Sequence, residues 1–180
     1  MKKWKTLSTK LVFDNRWLTV RQDEVELPNG RVLDDYFVWV DNDVALVVPV
    51  TEDGNFVMVR QYKHAAAKIL TEFPAGFIDK GEDALAAARR ELAEETGFIS
   101  DHMSRLATFI GNPTKATGIM YVFLAEHAIK SQETNFDDNE DIETIVCTPA
   151  EVVGMIMDGK ISVTSSVAAA FMALRRLDKI

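Results

Sequence analysis

The acidic residues between Gly76 and Phe98 are the strongest candidates for chemistry in this sequence. Glu91, Glu94 and Glu95 lie three and four residues apart, a spacing that places them on one side of a helix. Like charges so placed destabilise a helix by about 0.2–0.5 kcal/mol per pair unless a cation joins them. Mg²⁺ prefers carboxylate oxygens, retained waters and substrate phosphates, whereas Zn²⁺ would require Cys or His. The pattern therefore indicates either a divalent-cation site or a solvated acidic face.

The element that must carry these carboxylates is a predicted helix over residues 83–96. Its residues are mostly strong helix formers, its first turn is acidic, and Gly97 provides a C-terminal stop. Leu85, Ala88 and Leu92 recur at helical spacing and predict a buried stripe.

The spacing of glycine, arginine and glutamate around this helix resembles the Nudix box, the signature of the Nudix hydrolase superfamily. The matching positions are Gly76, Glu82, Arg90, Glu91, Glu94, Glu95 and Gly97, followed by Phe98 where an aliphatic residue is usual. The resemblance implies an α/β fold, an α/β/α sandwich around a mixed sheet with a small N-terminal antiparallel β unit. It also implies metal-dependent hydrolysis of a nucleoside diphosphate linked to another group.

The same resemblance implies roles for individual residues. Glu91 and Glu95 would be the principal metal ligands, the backbone at Ala75 would complete the metal site, and Glu94 would lie close by as a catalytic residue. The expected metal is Mg²⁺, with Mn²⁺ as the alternative. The residues expected to support the box are Gly76, Gly97 and an ion pair of Glu82 with Arg90.

Residues 59–63 and 72–76 narrow the resemblance to the branch of ADP-ribose pyrophosphatases and nucleotide-sugar hydrolases. Cations at a strand end beside an acidic metal site suit a diphosphate, so Arg60 and Lys63 are predicted phosphate ligands. Lys63 replaces an arginine common in the branch, which keeps the charge but loses the bidentate fork. Glu72 matches a ligand-contacting position of the branch and is otherwise an ordinary strand-end glutamate.

The segment 131–143 is acidic and, on composition, a solvated loop. The branch carries at this position a mobile loop with two acidic residues, one of which activates water. A carboxylate within hydrogen-bond reach of water at the metal site is what general-base hydrolysis needs. The resemblance favours Glu140 as that base, with Asp138 as the alternative.

Residues 1–40 are predicted to form short antiparallel strands. The resemblance assigns residues 41–180 to a Nudix hydrolase domain. In the branch, such N-terminal strands pack on, or exchange with, the other subunit of a homodimer. Trp17 and Trp39 are predicted either to stack on a nucleobase, which contributes roughly 1–3 kcal/mol per base, or to belong to the core or dimer interface. Two neighbouring aromatic residues are rivals for the stacking role: Tyr36 and Phe37.

The rest of the chain alternates strands and helices. Strands are predicted at 44–50, 56–62, 105–110, 121–126 and 142–147, with the first two adjacent in the sheet. Helices are predicted at 149–159, capped by Thr148, and at 165–177. The inward residues of the second helix are predicted to be Val167, Ala170, Phe171 and Leu174.

Composition limits the possible partners. A net charge of −8 over 180 residues, with pI near 4.9 and no basic cluster, argues against nucleic acid and anionic membranes. A small nucleoside diphosphate substrate is compatible, because a metal and a few cations neutralise it locally. A single cysteine and an N-terminus without a long apolar stretch lead us to expect a cytoplasmic protein.

The sequence leaves two alternatives to a nucleotide-sugar or ADP-ribose hydrolase. One is a hydrolase of another nucleoside diphosphate derivative, such as a dinucleoside polyphosphate or a nucleoside triphosphate. The other is a nucleotide-sensing module without catalysis, which the full set of box carboxylates disfavours.

Overall fold

The structure, a computed structural model, describes residues 1–131, 133–134 and 141–180. The chain divides into two compact units. The first comprises Met1–Asp43 and Ile110–Ile119, and the second comprises Val44–Phe109 and Met120–Ile180. No helix in the described part of the chain is both long and apolar enough to cross a bilayer.

The first unit contains the antiparallel sheet that the sequence predicts. Its strands are β1 (Lys5–Asp14), β2 (Thr19–Glu26) and β3 (Val32–Trp39), in the order β1-β2-β3. Gly30 closes the turn between β2 and β3 with a φ of +81°, a conformation that suits glycine. All ten residues of β1 are exposed, whereas β2 and β3 carry the buried residues Asp23, Val25 and Val38.

The segment Ile110–Ile119 is held against the third strand of this sheet. The Trp39 N–H donates to the Lys115 carbonyl at 2.6 Å, and the Thr117 N–H donates to the Trp39 carbonyl at 3.1 Å. The Tyr36 hydroxyl donates to the Thr114 carbonyl at 2.6 Å. This segment therefore belongs to the first unit although it is distant from it in sequence, and the domain boundary at residue 40 stays a prediction.

The larger sheet is mixed. Its strands are β4 (Val44–Thr51), β5 (Phe56–Lys63), β6 (Lys68–Glu72), β7 (Ala75–Phe77), β8 (Phe98–Ile99), β9 (His102–Ile110), β10 (Ile119–Lys130) and β11 (Ile142–Cys147). Five run side by side as β11-β5-β4-β10-β8, while β6 pairs with β5, β7 with β4 and β9 with β10. Only the β4–β10 pairing is parallel among those with a described register. The predicted adjacency of the strands at 44–50 and 56–62 is confirmed.

The helices of the second unit are α1 (Ala84–Thr96), α2 (Pro149–Met157) and α3 (Thr164–Arg176). Strand β4 is apolar on both faces because both are covered. Ala45 and Val47 pack with α1, whereas Leu46 and Val48 pack with α2 and α3. This arrangement is the α/β/α sandwich that the sequence predicts.

The inner face of α3 is centred differently from the prediction. The buried residues are Ser166, Ala169, Ala170, Ala173 and Leu174, while Val167 and Phe171 are only partly buried against the core. Small residues at these positions allow the helix to approach the sheet closely. The sequence pattern favoured the larger side chains, so it left Ser166 out.

Candidate active site

Helix α1 ends at Thr96 as predicted and begins at Ala84, one residue later than predicted, so its first turn is not acidic and Asp83 lies before it as the cap. The Asp83 carboxylate accepts hydrogen bonds from the N–H groups of Leu85 and Ala86, at 2.9 and 3.3 Å, and so caps the first turn. Gly97 ends the helix with a φ of +68°, and its N–H donates to the Ala93 carbonyl. These two ends fix which residues of the helix face the sheet.

The face of α1 that packs on the sheet carries two glutamates into the interior. Glu91 and Glu95 are only 9% and 4% exposed, beside the buried Leu92. The Glu95 Oε2 accepts a hydrogen bond from the Ala75 N–H at 3.1 Å. Burying carboxylates is costly unless partners or a cation compensate, so this placement favours a site over a solvated acidic face.

Gly76 makes room for the Glu91 carboxylate. A Cβ atom built on Gly76 would overlap the Oε1, Cδ and Oε2 atoms of Glu91. Glycine is therefore required here by close approach of a side chain, since this position has no positive φ. The backbone of β7 and the carboxylate of α1 meet at this point.

Arg90 links the carboxylates of the box. Its guanidinium donates to both oxygens of Glu82, at 3.1 and 3.0 Å, to Glu91 Oε1 at 2.6 Å and to Glu94 Oε2 at 3.1 Å. It also donates to the Phe77 carbonyl at 3.0 Å. The expected ion pair of Glu82 with Arg90 is present, and the same arginine offsets the like charges of α1.

The pKa values in this network shift in opposite directions. Hydrogen bonds from Arg90 and from the Asp79 N–H lower the pKa of Glu82, against a smaller opposing effect of burial. The Glu82 hydrogen bond in turn raises the pKa of Arg90, with further contributions from Glu91 and Glu94. Both groups are charged at neutral pH.

The lowered pKa of Glu82 predicts an acid-dependent contribution to stability. A carboxylate with a depressed folded pKa stabilises the protein above its unfolded pKa, and the effect is lost as pH falls through the folded value. We expect Glu82→Gln to be less stable than wild type at pH 7 and the difference to shrink below about pH 4. Urea unfolding at pH 7, 5 and 3 measures it. Glu52→Gln, in an exposed turn, is the control, and a pH-independent difference for Glu82→Gln would contradict the assignment.

A cleft of about 590 Å³ opens beside the box. Its lining residues are Val44, Lys63, Ala75, Gly76, Phe77, Asp79, Arg90, Glu91, Glu94 and Glu95. The structure thus brings the box carboxylates, the Ala75–Gly76 backbone and one predicted phosphate ligand together. Three lining residues were not predicted: Val44, Phe77 and Asp79. Phe77 is 61% exposed and adds an apolar surface to this mostly polar lining.

The two predicted phosphate ligands lie on opposite faces of β5. Lys63 lines the cleft, and its Nζ lies 3.2 Å from Glu72 Oε1. Arg60 does not line the cleft, and its guanidinium pairs instead with Glu143 at 2.9 Å. Successive side chains of a strand alternate between faces, so residues three apart point to opposite sides. The structure therefore brings Lys63 to the site, together with Glu72 as its partner, and leaves Arg60 outside.

The tryptophans of the first unit lie outside its core. Trp17 is 74% exposed with the Arg16 guanidinium 4.4 Å from its ring centre, and Trp39 is 47% exposed. The rivals Tyr36 and Phe37 are respectively half-buried and exposed. Base stacking and a dimer interface stay as predictions for the two tryptophans. The predicted bases Glu140 and Asp138 lie outside the described residues.

The donor set fits a hydrated Mg²⁺ ion. Within residues 1–131, 133–134 and 141–180, no three His, Cys, Asp or Glu side chains converge in a way that could enclose a metal. Glu94 points to Arg90 and its side chain is 37% exposed, so the buried pair is Glu91 and Glu95. Mg²⁺ is commonly held by one or two carboxylates, with waters and substrate phosphates completing its octahedron. Two buried carboxylates beside a glycine cradle are such an incomplete set.

Models of two known protein families match parts of this chain. A family model described as the NUDIX domain matches residues 41–165, which include the box, the cleft and the larger sheet. The chain belongs to the Nudix family. A second model, described as a nucleoside diphosphate sugar hydrolase N-terminal domain, matches residues 4–39, the strands of the first unit.

Two characterised relatives resemble this Nudix hydrolase along most of its length. The methanol dehydrogenase activator of Bacillus methanolicus is 34% identical over 92% of this chain and 89% of its own. An ADP-ribose pyrophosphatase of Bacillus subtilis is 31% identical over 84% of this chain and 82% of its own. A solved structure of an ADP compounds hydrolase, 24% identical, superposes with a TM-score of 0.88 over 99% of this chain and 96% of that one. The last similarity confirms the fold.

Proposed function

We propose that this Nudix hydrolase cleaves the diphosphate of ADP-ribose or of a nucleoside diphosphate sugar in a Mg²⁺-dependent reaction. The products are a nucleoside monophosphate and a sugar phosphate. The observation that carries the proposal is the buried pair Glu91 and Glu95 beside the Ala75–Gly76 backbone, in a cleft with Lys63 on its wall. The name of the Bacillus subtilis relative and the match of residues 4–39 support this substrate class.

Glu91, Glu95 and the Ala75 carbonyl would hold the metal, with Mn²⁺ as the alternative ion. When bound, Mg²⁺ neutralises charge on the diphosphate and lowers the pKa of a bound water. Arg90 keeps Glu91 and the nearby Glu94 in place through its hydrogen bonds.

Two cations line the cleft, and Arg90 is already engaged by the carboxylates of the box. Lys63 is therefore the residue suited to bind a phosphate group of the substrate. Its ammonium group lies 3.2 Å from Glu72 Oε1 at the wall of the cleft, where the two charges attract each other without a well-formed hydrogen bond. Phe77 presents an apolar surface beside it, which suits the ring of a ribose or base. Glu140, or in its place Asp138, would accept the proton of the attacking water, an assignment supported by the sequence resemblance alone.

The protein is further proposed to act as a homodimer through its first unit. Strand β1 is exposed along its whole length, and an exposed edge strand is a template for pairing with another chain. The exposed apolar residues of this unit include Trp4, Leu7, Leu11, Val12, Phe13 and Trp17. An apolar surface of this kind marks a protein contact.

Product chromatography tests the proposed reaction. The purified chain is incubated with ADP-ribose, a panel of nucleotide sugars, a dinucleoside polyphosphate and a nucleoside triphosphate, each with Mg²⁺, with Mn²⁺ and with chelator. We expect metal-dependent release of a nucleoside monophosphate and a sugar phosphate. Turnover restricted to the polyphosphates would favour the first alternative, and tight nucleotide binding without any turnover would favour a sensing module.

A further inference from the structure

A buried hydrogen bond joins α3 to the backbone that leads into the Nudix box. The Phe73 N–H donates to the Ser166 Oγ at 3.1 Å, between residues 93 positions apart. Ser166 is 0% exposed and Phe73 is 1% exposed. Buried backbone N–H groups are almost always paired, and this one lies where β6 has ended and β7 has not begun. The Ser166 side chain therefore accepts a backbone hydrogen bond that, elsewhere in the sheet, a carbonyl of a neighbouring strand accepts.

This hydrogen bond is one of three that fix consecutive residues. The Pro74 carbonyl accepts from the Val47 N–H at 2.9 Å, and the Ala75 N–H donates to Glu95 Oε2 at 3.1 Å. Pro74 has no N–H of its own, so the turn has few ways to be held. The Ser166 bond fixes the segment on its N-terminal side, two residues before Ala75.

We propose that Ser166 is a positioning residue for the metal site of the proposed hydrolase, on which this inference rests. Its hydroxyl fixes the Phe73 N–H, and through it the direction of the Ala75 carbonyl and the Ala75 N–H that orients Glu95. Among the described residues of α3 none lines the cleft, so Ser166 acts on the site through the backbone of 73–75 alone.

The surroundings of Ser166 favour this role over a chance contact. The other buried residues on this face of α3 are Ala169, Ala170, Ala173 and Leu174. An alanine at 166 would suit that packing and would favour the helix more than serine does. What a serine adds at this position is the oxygen that accepts from Phe73.

Metal binding tests the proposal without relying on turnover. The Mn²⁺ dissociation constant is measured by electron paramagnetic resonance of free Mn²⁺ for wild type, Ser166→Ala, Ser166→Cys and the neighbouring Ser165→Ala. We expect Ser166→Ala to weaken Mn²⁺ binding by up to about 10-fold, because direct hydrogen-bond partners of metal ligands contribute at least that much and Ser166 acts through the intervening backbone. Ser166→Cys has a side chain of similar size but a weaker hydrogen-bond acceptor, so its Mn²⁺ dissociation constant should lie between those of wild type and Ser166→Ala. Ser165→Ala should bind Mn²⁺ as wild type does.

A kinetic measurement separates positioning from general destabilisation. For Ser166→Ala the Mg²⁺ concentration that gives half-maximal activity should rise by the same factor, while saturating Mg²⁺ restores most of kcat. Wild-type Mn²⁺ affinity in folded Ser166→Ala, or in Ser166→Cys if the alanine variant does not fold, would overturn the inference and leave the proposed function standing. If wild type itself bound no Mn²⁺, the proposed metal-dependent function would fail first.

Discussion

Glu95→Gln should abolish turnover while leaving the fold intact. The substitution removes one negative charge from the proposed metal site and changes the shape of the side chain very little. The amide oxygen of glutamine can still accept the hydrogen bond from the Ala75 N–H, so the contact between α1 and β7 survives. We expect kcat to fall about 10²–10³-fold or more steeply, since 10²–10³-fold is the scale for losing one preorganised electrostatic group from a buried site.

Chromatographic rates at saturating Mg²⁺, with circular dichroism and thermal melts beside them, measure this effect. Glu52→Gln removes the same charge from an exposed turn and is the matched control. Wild-type rates in Glu95→Gln would show that the buried carboxylate of α1 is not a metal ligand. A loss of activity together with a loss of the cooperative melt would instead assign Glu95 a purely structural role.

The parts of this site that the sequence predicts are those set by local rules. Helix α1 is one, because its strong helix formers, its stop at Gly97 and its apolar stripe all lie within the helix or next to it. The spacing of Glu91 and Glu95 then follows from the period of the helix. The pairing of Glu82 with Arg90 follows from the fixed offsets of the box.

Contacts set by strand pairing were harder to predict. Lys63 and Glu72 lie on the same face of the β5–β6 pair, although the register sets Lys63 opposite Lys68 and Glu72 opposite Val59, so their long side chains reach along the strands to meet. The sequence does not predict β6. The separation of Arg60 from Lys63 was predictable in principle, since residues three apart on a strand face opposite sides. The positive charge of both residues and their place in one motif predict a shared role as phosphate ligands, whereas the alternation of side chains along a strand separates them.

Contacts between residues far apart in the chain are not indicated by any local sequence pattern. Ser166 is 93 positions from its partner Phe73, and a serine in the first turn of a helix ordinarily indicates a cap. Phe77 carries the pattern of an ordinary strand residue, and its exposure in the cleft depends on how β7 ends against β4. Such residues become visible only once the sheet is assembled.

Gly76→Ala should disable the site without unfolding the protein. The new Cβ would overlap the Glu91 carboxylate, which is the far end of a side chain and can move aside by weakening its hydrogen bond with Arg90, so the backbone does not have to move. Gly76 has no positive φ, and alanine can adopt its backbone conformation. We expect kcat/KM to fall about 10²-fold, the cost of misplacing a catalytic group by about 1 Å.

Gly154→Ala is the matched control, because a Cβ there meets no atom within 4 Å. It lies in α2, where replacing glycine by alanine should stabilise the protein by roughly 0.5–1 kcal/mol. A double-mutant cycle then identifies the cause of the Gly76→Ala defect. In a Glu91→Ala background the carboxylate that the methyl group displaces is already gone, so adding Gly76→Ala should cost almost nothing further. Fully additive losses would mean that the methyl group acts on the Ala75 carbonyl or on the substrate path, and not through Glu91.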